Sequence, residues 1–205
     1  MDKFFDSGNP VMRFLARLVD LAILNIFTVL YSIPLITFGG AMAAMNYVLL
    51  HMVRGEETYV IRMFRKSFKD NFRQSIPEGL LVILIGIIAG VDMWALHGSG
   101  SKVFTMMMIA ITIVALFVFV TAVYMFALQS RYEAPVKETI INAFKLSVGN
   151  LPRTLCMAVV WIIWVLVLVY LNKAAPLVFL LYGFTLPGYI CALLYDKIFR
   201  KLEEN

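Results

Sequence analysis

Six apolar stretches, near residues 18–35, 38–53, 76–96, 103–128, 154–171 and 176–195, divide this chain and limit what it can become. Several reach the roughly 18 to 20 consecutive apolar residues that a helix needs to cross a bilayer. The composition agrees: 61% of the 205 residues are hydrophobic and only 15% are charged, against about 25% charged in an ordinary soluble domain. A core able to bury this much apolar surface would leave little polar exterior. The chain is therefore expected to be all-α, a single polytopic membrane domain over residues 1–205 with about six transmembrane helices.

Sixteen of the eighteen Lys and Arg residues fall in alternate connections. They sit in the N-terminal arm, in the loop after the second stretch (Arg54 to Arg73), in the loop after the fourth (Arg131 to Arg153), and in the C-terminal tail. Only Lys102 and Lys173 lie in the other set. Lys and Arg accumulate on the cytoplasmic side of short loops, so both termini are expected in the cytoplasm. The net charge of +5 is not a nucleic-acid signature, because no stacking aromatics are interleaved with the basic residues. Anionic lipid headgroups are their expected neighbours.

The N-terminal arm, 1–17, alternates Phe4, Phe5, Val11, Phe14 and Leu15 with Lys3, Arg13 and Arg17, and reads as an interfacial helix. Ala41-Met42-Ala43 resembles a cleavage site, but the apolar run before it exceeds the usual ~7–15 residues, so cleavage is not expected. Pro34, Gly39 and Gly40 are expected to form the tight outer turn between the first two spans, since Pro stops a helix and Gly tolerates the backbone of a tight turn. In residues 54–75, Phe64, Phe68 and Phe72 recur every fourth position and share one helical face. This predicts an amphipathic cytoplasmic helix whose aromatic stripe lies on the membrane or a partner. A second amphipathic segment spans 129–153. Its Phe144-Lys145-Leu146-Ser147 echoes Phe64-Arg65-Lys66-Ser67 at an 80-residue offset, a weak sign of duplication.

Polar residues inside the spans stand out. Asn25 and Asn46 each lie seven residues, about 10 Å, from the predicted inner edge. An amide in hydrocarbon needs a partner, and at matched depths the two are expected to pair across the first hairpin. Glu78, after Pro77, is placed in the first turn of span three, where it complements the helix dipole. Gly79, Gly86 and Gly90 share a face of that span, and Gly86–Gly90 forms a G-x-x-x-G suited to close helix contact in the bundle or with a partner. No catalytic motif is present. Cys156, Cys191, His51 and His97 have no metal-ligand spacing, and no disulfide is expected. Enzymatic activity, a cofactor, a metal and nucleic acid are all outside expectation.

The run from Asp20 to Asn25, then Ser32-Ile33-Pro34 through Gly39, Ala43-Ala44-Met45-Asn46-Tyr47, and Arg54-Gly55-Glu56 resembles the YesL-like family of bacterial integral membrane proteins. The later Phe64 to Phe72 segment fits it as well, and Asn25, Pro34 and Gly39 occupy the family's characteristic positions. The resemblance implies a cytoplasmic-membrane protein of unknown molecular function, often encoded beside carbohydrate importers of the ATP-binding-cassette type. It carries over no catalytic residue. Two functions are weighed, the first linked to this resemblance and the second to the chain's own helix breaks and intramembrane amides. One is an accessory protein that binds or stabilises an importer's permease subunits. The other is an independent carrier or channel, with Pro34–Gly40 or Pro187-Gly188 as helix breaks and Asn25 and Asn46 lining a path.

Overall fold

The structure, a computed structural model, describes residues 10–96, 102–132 and 134–203. Among them there are helices and no strands. The interfacial arm falls largely outside the described residues. What is visible of it, from Pro10, is the start of α1 (Pro10–Ser32) rather than a separate helix. Proline suits a first helical position, where its missing N–H would have no partner anyway.

α1 is joined to α2 (Phe38–Arg54) by Pro34 and a 3-10 turn at Leu35–Thr37. The Thr37 hydroxyl donates to the carbonyls of Pro34 (2.7 Å) and Tyr31, closing the turn. Pro34 thus does what its chemistry predicts. Gly39 and Gly40 do not: both lie inside α2 and are buried. Their role is closeness, not conformational freedom. Gly55 is where left-handed backbone is needed, with φ at 73° ending α2.

α2 is the hub, with 12 of its 17 residues buried. α3 (Val60–Leu96) packs along it. The expected separate cytoplasmic helix and span three are one continuous helix of 37 residues, with Pro77 inside it. At 1.5 Å per residue that is about 56 Å, well beyond a ~30 Å hydrocarbon core. α4 (Lys102–Gln129) returns, α5 (Val136–Gly149) lies against it, and α6 (Leu151–Leu171) comes next. A 3-10 turn at Asn172–Ala174 leads to α7 (Ala175–Tyr182) and α8 (Thr185–Glu203). Five segments are long and apolar enough to cross a membrane: Val11–Ser32, Leu35–Arg54, Val60–Asp92, Lys102–Gln129 and Leu151–Tyr182. The protein is a polytopic helical membrane protein. The expected sixth span is interrupted: α7 stops after eight residues and α8 begins again at Thr185.

The C-terminal ends of α2, α4 and α8 meet in a lattice of charges. Arg54 Nε lies 2.7 Å from Asp196 Oδ1, Arg200 Nε lies 2.7 Å from Asp196 Oδ2, and Arg131 Nε lies 2.6 Å from Glu203 Oε1. Arg54 also reaches Glu203 at 3.2 Å. Three segments that the charge pattern assigns to one side are thus gathered at one end of the molecule, the basic end. Away from it, residues 80–96 of α3 and 102–119 of α4 form an arm in which no described residue is buried.

Candidate functional site

The break between α7 and α8 is filled by Asn25. Its Nδ2 donates to the carbonyls of Phe179 and Leu180, both at 2.8 Å. Its Oδ1 accepts from the amides of Phe184 at 2.8 Å and Thr185 at 3.1 Å. The last carbonyls of one helix and the first amides of the next lack intrahelical partners. One carboxamide from α1, itself fully buried, supplies two donors and two acceptors to them. Thr185 Oγ1 reinforces the joint by donating to Leu21 O at 3.0 Å, and Trp164 Nε1 donates to Gly183 O at 2.9 Å. In hydrocarbon an open helix end is tolerated only where protein satisfies it.

The expected Asn25–Asn46 pair does not form. Asn46 Nδ2 donates back to Met42 O at 2.8 Å, and its Oδ1 accepts from Tyr195 Oη at 3.0 Å. Both amides are satisfied, as hydrocarbon requires, but each finds its distant partner in the last two helices of the chain. Matched depth did not determine rotation about the helix axes.

The aromatic stripe of α3 faces inward, not toward a membrane surface or partner. Phe64 is completely buried, and its ring meets Tyr31 at 5.3 Å and Phe27 at 6.0 Å, edge to face. Phe68 meets Tyr31 at 4.8 Å and Phe72 at 5.4 Å. Gly40 makes room for them: a Cβ there would lie 3.1 Å from the Phe68 ring. α1 presents two aromatics at matching i, i+4 spacing, and burying rings against rings is worth more than laying them on a polar interface.

Glycine contact occurs at a different place from the G-x-x-x-G. A Cβ on Gly79 would sit 2.6 Å from Gly39 N, and one on Gly39 would collide with Ser75 O. α2 and α3 therefore cross backbone to backbone at Gly39 and Gly79. Gly86 and Gly90 have no neighbour within 4 Å of an added Cβ. They do not hold the bundle together. They face outward on the arm.

A polar cavity of about 330 Å³ opens near the basic end. Its walls are Tyr47 of α2, the polar face of α3 from Lys66 to Gln74, and the end of α4 with Ser130 to Tyr132. Gln129, only 3% exposed, lies at its inner side. Behind Gln129 is Glu78, fully buried, and not in the first turn of a helix as expected, because α3 begins eighteen residues earlier, at Val60. With the Gln129 amide nitrogen turned to Glu78 Oε2, the amide oxygen accepts from Ser75 N at 3.1 Å and Ser75 Oγ at 2.9 Å. Glu78 Oε1 has no hydrogen-bond partner. The sequence signals for this cluster were a Glu after Pro77 and a run of amide and hydroxyl residues, 67, 71, 74 and 75, on the helical face that adjoins the phenylalanines. Among the described residues no group of three or more His, Cys, Asp or Glu could hold a metal ion.

Glu203 is the charged link between this cavity and the C-terminus. Its carboxylate is held below the usual carboxylate range, first by the hydrogen bond from Arg54, opposed by partial burial and reinforced by Arg131. Tyr132 Oη donates to the same carboxylate at 3.3 Å. Burial, and then the Glu203 charge, raise the Tyr132 phenol.

Residues 21–93 match a family described as a protein of unknown function, DUF624. That stretch contains Asn25, Pro34, the Gly39–Gly79 crossing and the aromatic stripe. The chain is 27% identical over 155 residues to the uncharacterized protein YesL of Bacillus subtilis (strain 168). The match covers 74% of this chain and 73% of that protein. No solved structure matches.

Proposed function

We propose that this chain, a YesL-like protein of the DUF624 family, is an accessory protein of the bacterial cytoplasmic membrane that binds or stabilises the permease subunits of a carbohydrate ATP-binding-cassette importer. The importer link rests on the family resemblance. The docking mode rests on one observation, the α3–α4 arm. It projects Gly86 and Gly90 outward with open space around them. Lipid tails are as apolar as leucine, so helices associate in membranes through close backbone approach at small residues. A permease helix would find on this arm a surface that the protein's own bundle leaves free. In this reading both termini lie in the cytoplasm, with the basic end facing it.

Affinity purification from native membranes in mild detergent tests the proposal. Permease subunits should co-purify. Gly86→Leu and Gly90→Leu should reduce their recovery at least severalfold while the isolated protein keeps its thermal stability. Unchanged recovery in both variants would remove the arm from the interface. Absence of any permease would defeat the reading as a whole. Reporter fusions at the C-terminus should be active only on the cytoplasmic side.

The second reading, a carrier, draws on the interrupted α7–α8 helix, since transporters place substrate at such breaks. Here Asn25 already uses both N–H donors and two acceptor positions on the break's backbone. That favours a structural joint. Solute uptake into liposomes by the purified protein alone would reverse the preference.

A further inference from the structure

The polar cavity beside the basic end has a feature that packing does not explain. Most of its neutral donors are already engaged. Asn71 Nδ2 donates to Ser67 O at 2.9 Å, Gln74 Nε2 to Ala134 O, and Ser130 Oγ to Ala127 O at 2.8 Å, while the cationic Arg131 donates to Glu203 at 2.6 Å. What is left without a protein partner is the exposed Lys66 ammonium and Asp70 carboxylate, the amide oxygens of Asn71 and Gln74, and the Tyr47 hydroxyl. Among the described residues, no ion pair involves Lys66 or Asp70, although they lie one helical turn apart with opposite charges. Lys preceding Asp is the weaker order for an i, i+4 pair, and exposed pairs of this kind contribute little.

We propose that this cavity binds a small zwitterion, a molecule carrying a primary ammonium and an acid group a few atoms apart. The ammonium would be held by the Asp70 carboxylate and the Asn71 and Gln74 amide oxygens, which are acceptors. The acid group would pair with Lys66. The cavity, at about 330 Å³, has room for such a ligand. Gln129 gives it a firm inner wall, being held from behind by Ser75 and Glu78. This site is independent of the arm and of the importer reading.

The same chemistry occurs in a free amino-acid-like metabolite and in the headgroup of an ethanolamine lipid, and the test separates them. The full chain purified in detergent is titrated calorimetrically with phosphoethanolamine. The full chain is also melted in nanodiscs of phosphatidylcholine and of phosphatidylethanolamine. A choline headgroup carries charge but no N–H to donate. Saturable binding of phosphoethanolamine points to a free ligand. No soluble binding, with a higher melting temperature in ethanolamine lipid only, points to the headgroup. Asp70→Asn and Lys66→Gln should each weaken whichever response is seen, about tenfold for the titration, as expected for one charge-assisted bond. Lys69→Gln, off the cavity, should leave it intact. No response to either form, or a response that neither Asp70→Asn nor Lys66→Gln reduces, overturns the proposal.

Discussion

Gly39 and Gly79 behave differently from Gly86 and Gly90, although all four belong to small-residue patterns in neighbouring apolar helices. At the first pair, two backbones touch, and no side chain larger than hydrogen fits. At the second pair the surroundings are open. The same contrast runs along the whole of α3. From Val60 to Gly79 its inward face is buried at Phe64, Ser67, Ser75 and Glu78, a helical spacing. From residue 80 onward no described residue of α3 is buried, and the facing part of α4 up to residue 119 is the same. In water such an arm would collapse onto the core. In a bilayer, lipid solvates leucine and isoleucine as well as another helix does, so burial stops where specific contacts stop. The packed half is specified by contacts that lipid cannot replace: ring against ring, glycine against glycine, amide against helix end.

That contrast can be broken by substitution, beginning with the largest effect. Phe64→Ala removes a fully buried ring surrounded by Phe27, Tyr31 and Phe68. It should destabilise the protein by about 3 kcal/mol or more, measured by reversible unfolding in mixed micelles. Removal of an exposed aliphatic side chain from the arm, as in Ile87→Ala at 56% exposure, should cost under about 0.5 kcal/mol. Equal losses would mean the arm is packed after all.

Gly39→Ala forces α2 and α3 apart and should cost about 2–3 kcal/mol, whereas Gly86→Ala should change stability by less than about 0.5 kcal/mol. The reverse order would show that the G-x-x-x-G, and not the Gly39–Gly79 crossing, holds the fold.

Asn25→Leu removes four hydrogen bonds at the α7–α8 break and leaves Leu180 O and the amides of Phe184 and Thr185 without these partners, while Phe179 O keeps the Gly183 amide at 2.8 Å. At the ~0.6 kcal/mol average for a hydrogen bond in a membrane, four bonds amount to about 2 kcal/mol. Asn46→Ala, which loses bonds to Tyr195 and Met42, should cost about half as much. A double-mutant cycle between the two should be additive within about 0.5 kcal/mol, because they share no partner. Strong coupling would restore the direct pair that the structure excludes.

The smallest effect concerns the basic end. Glu203 is held below the ordinary carboxylate range in the folded protein. Its contribution is therefore present above that range and is lost as pH falls through its lowered value. For exposed pairs the loss is on the order of a few tenths of a kcal/mol. It should appear as faster proteolysis of the C-terminal turn of α8 in acid. Glu203→Gln should remove that acid step; an unchanged step would assign it to another group.

Much of the architecture was legible in one dimension. Apolar length and the alternation of basic loops are local properties, and they carried the all-helical membrane fold. They also placed the ends of α2, α4 and α8 together, where Arg54, Arg131 and Glu203 meet. The resemblance marked Asn25, Pro34 and Gly39 as special, and hydrocarbon's intolerance of lone amides required Asn25 and Asn46 to find partners. Which partners they found was beyond reach, because sequence spacing sets depth along a helix but not which neighbour it faces. The break at Gly183 was signalled only approximately: the candidate Pro187-Gly188 lies a few residues later, inside the first turn of α8, and the residue that makes the break tolerable lies about 160 positions earlier. Glu78 looked like a helix-start acid because the boundary at Pro77 was drawn from polarity, while the backbone runs through it. The sequence alone determined that this chain is helical, membrane-bound and asymmetric in charge, since those properties come from solvent and from charge. Only the tertiary structure decided where backbones touch, which amide fills which gap and which glycines stay open, since those depend on the rotation of each helix against its neighbours.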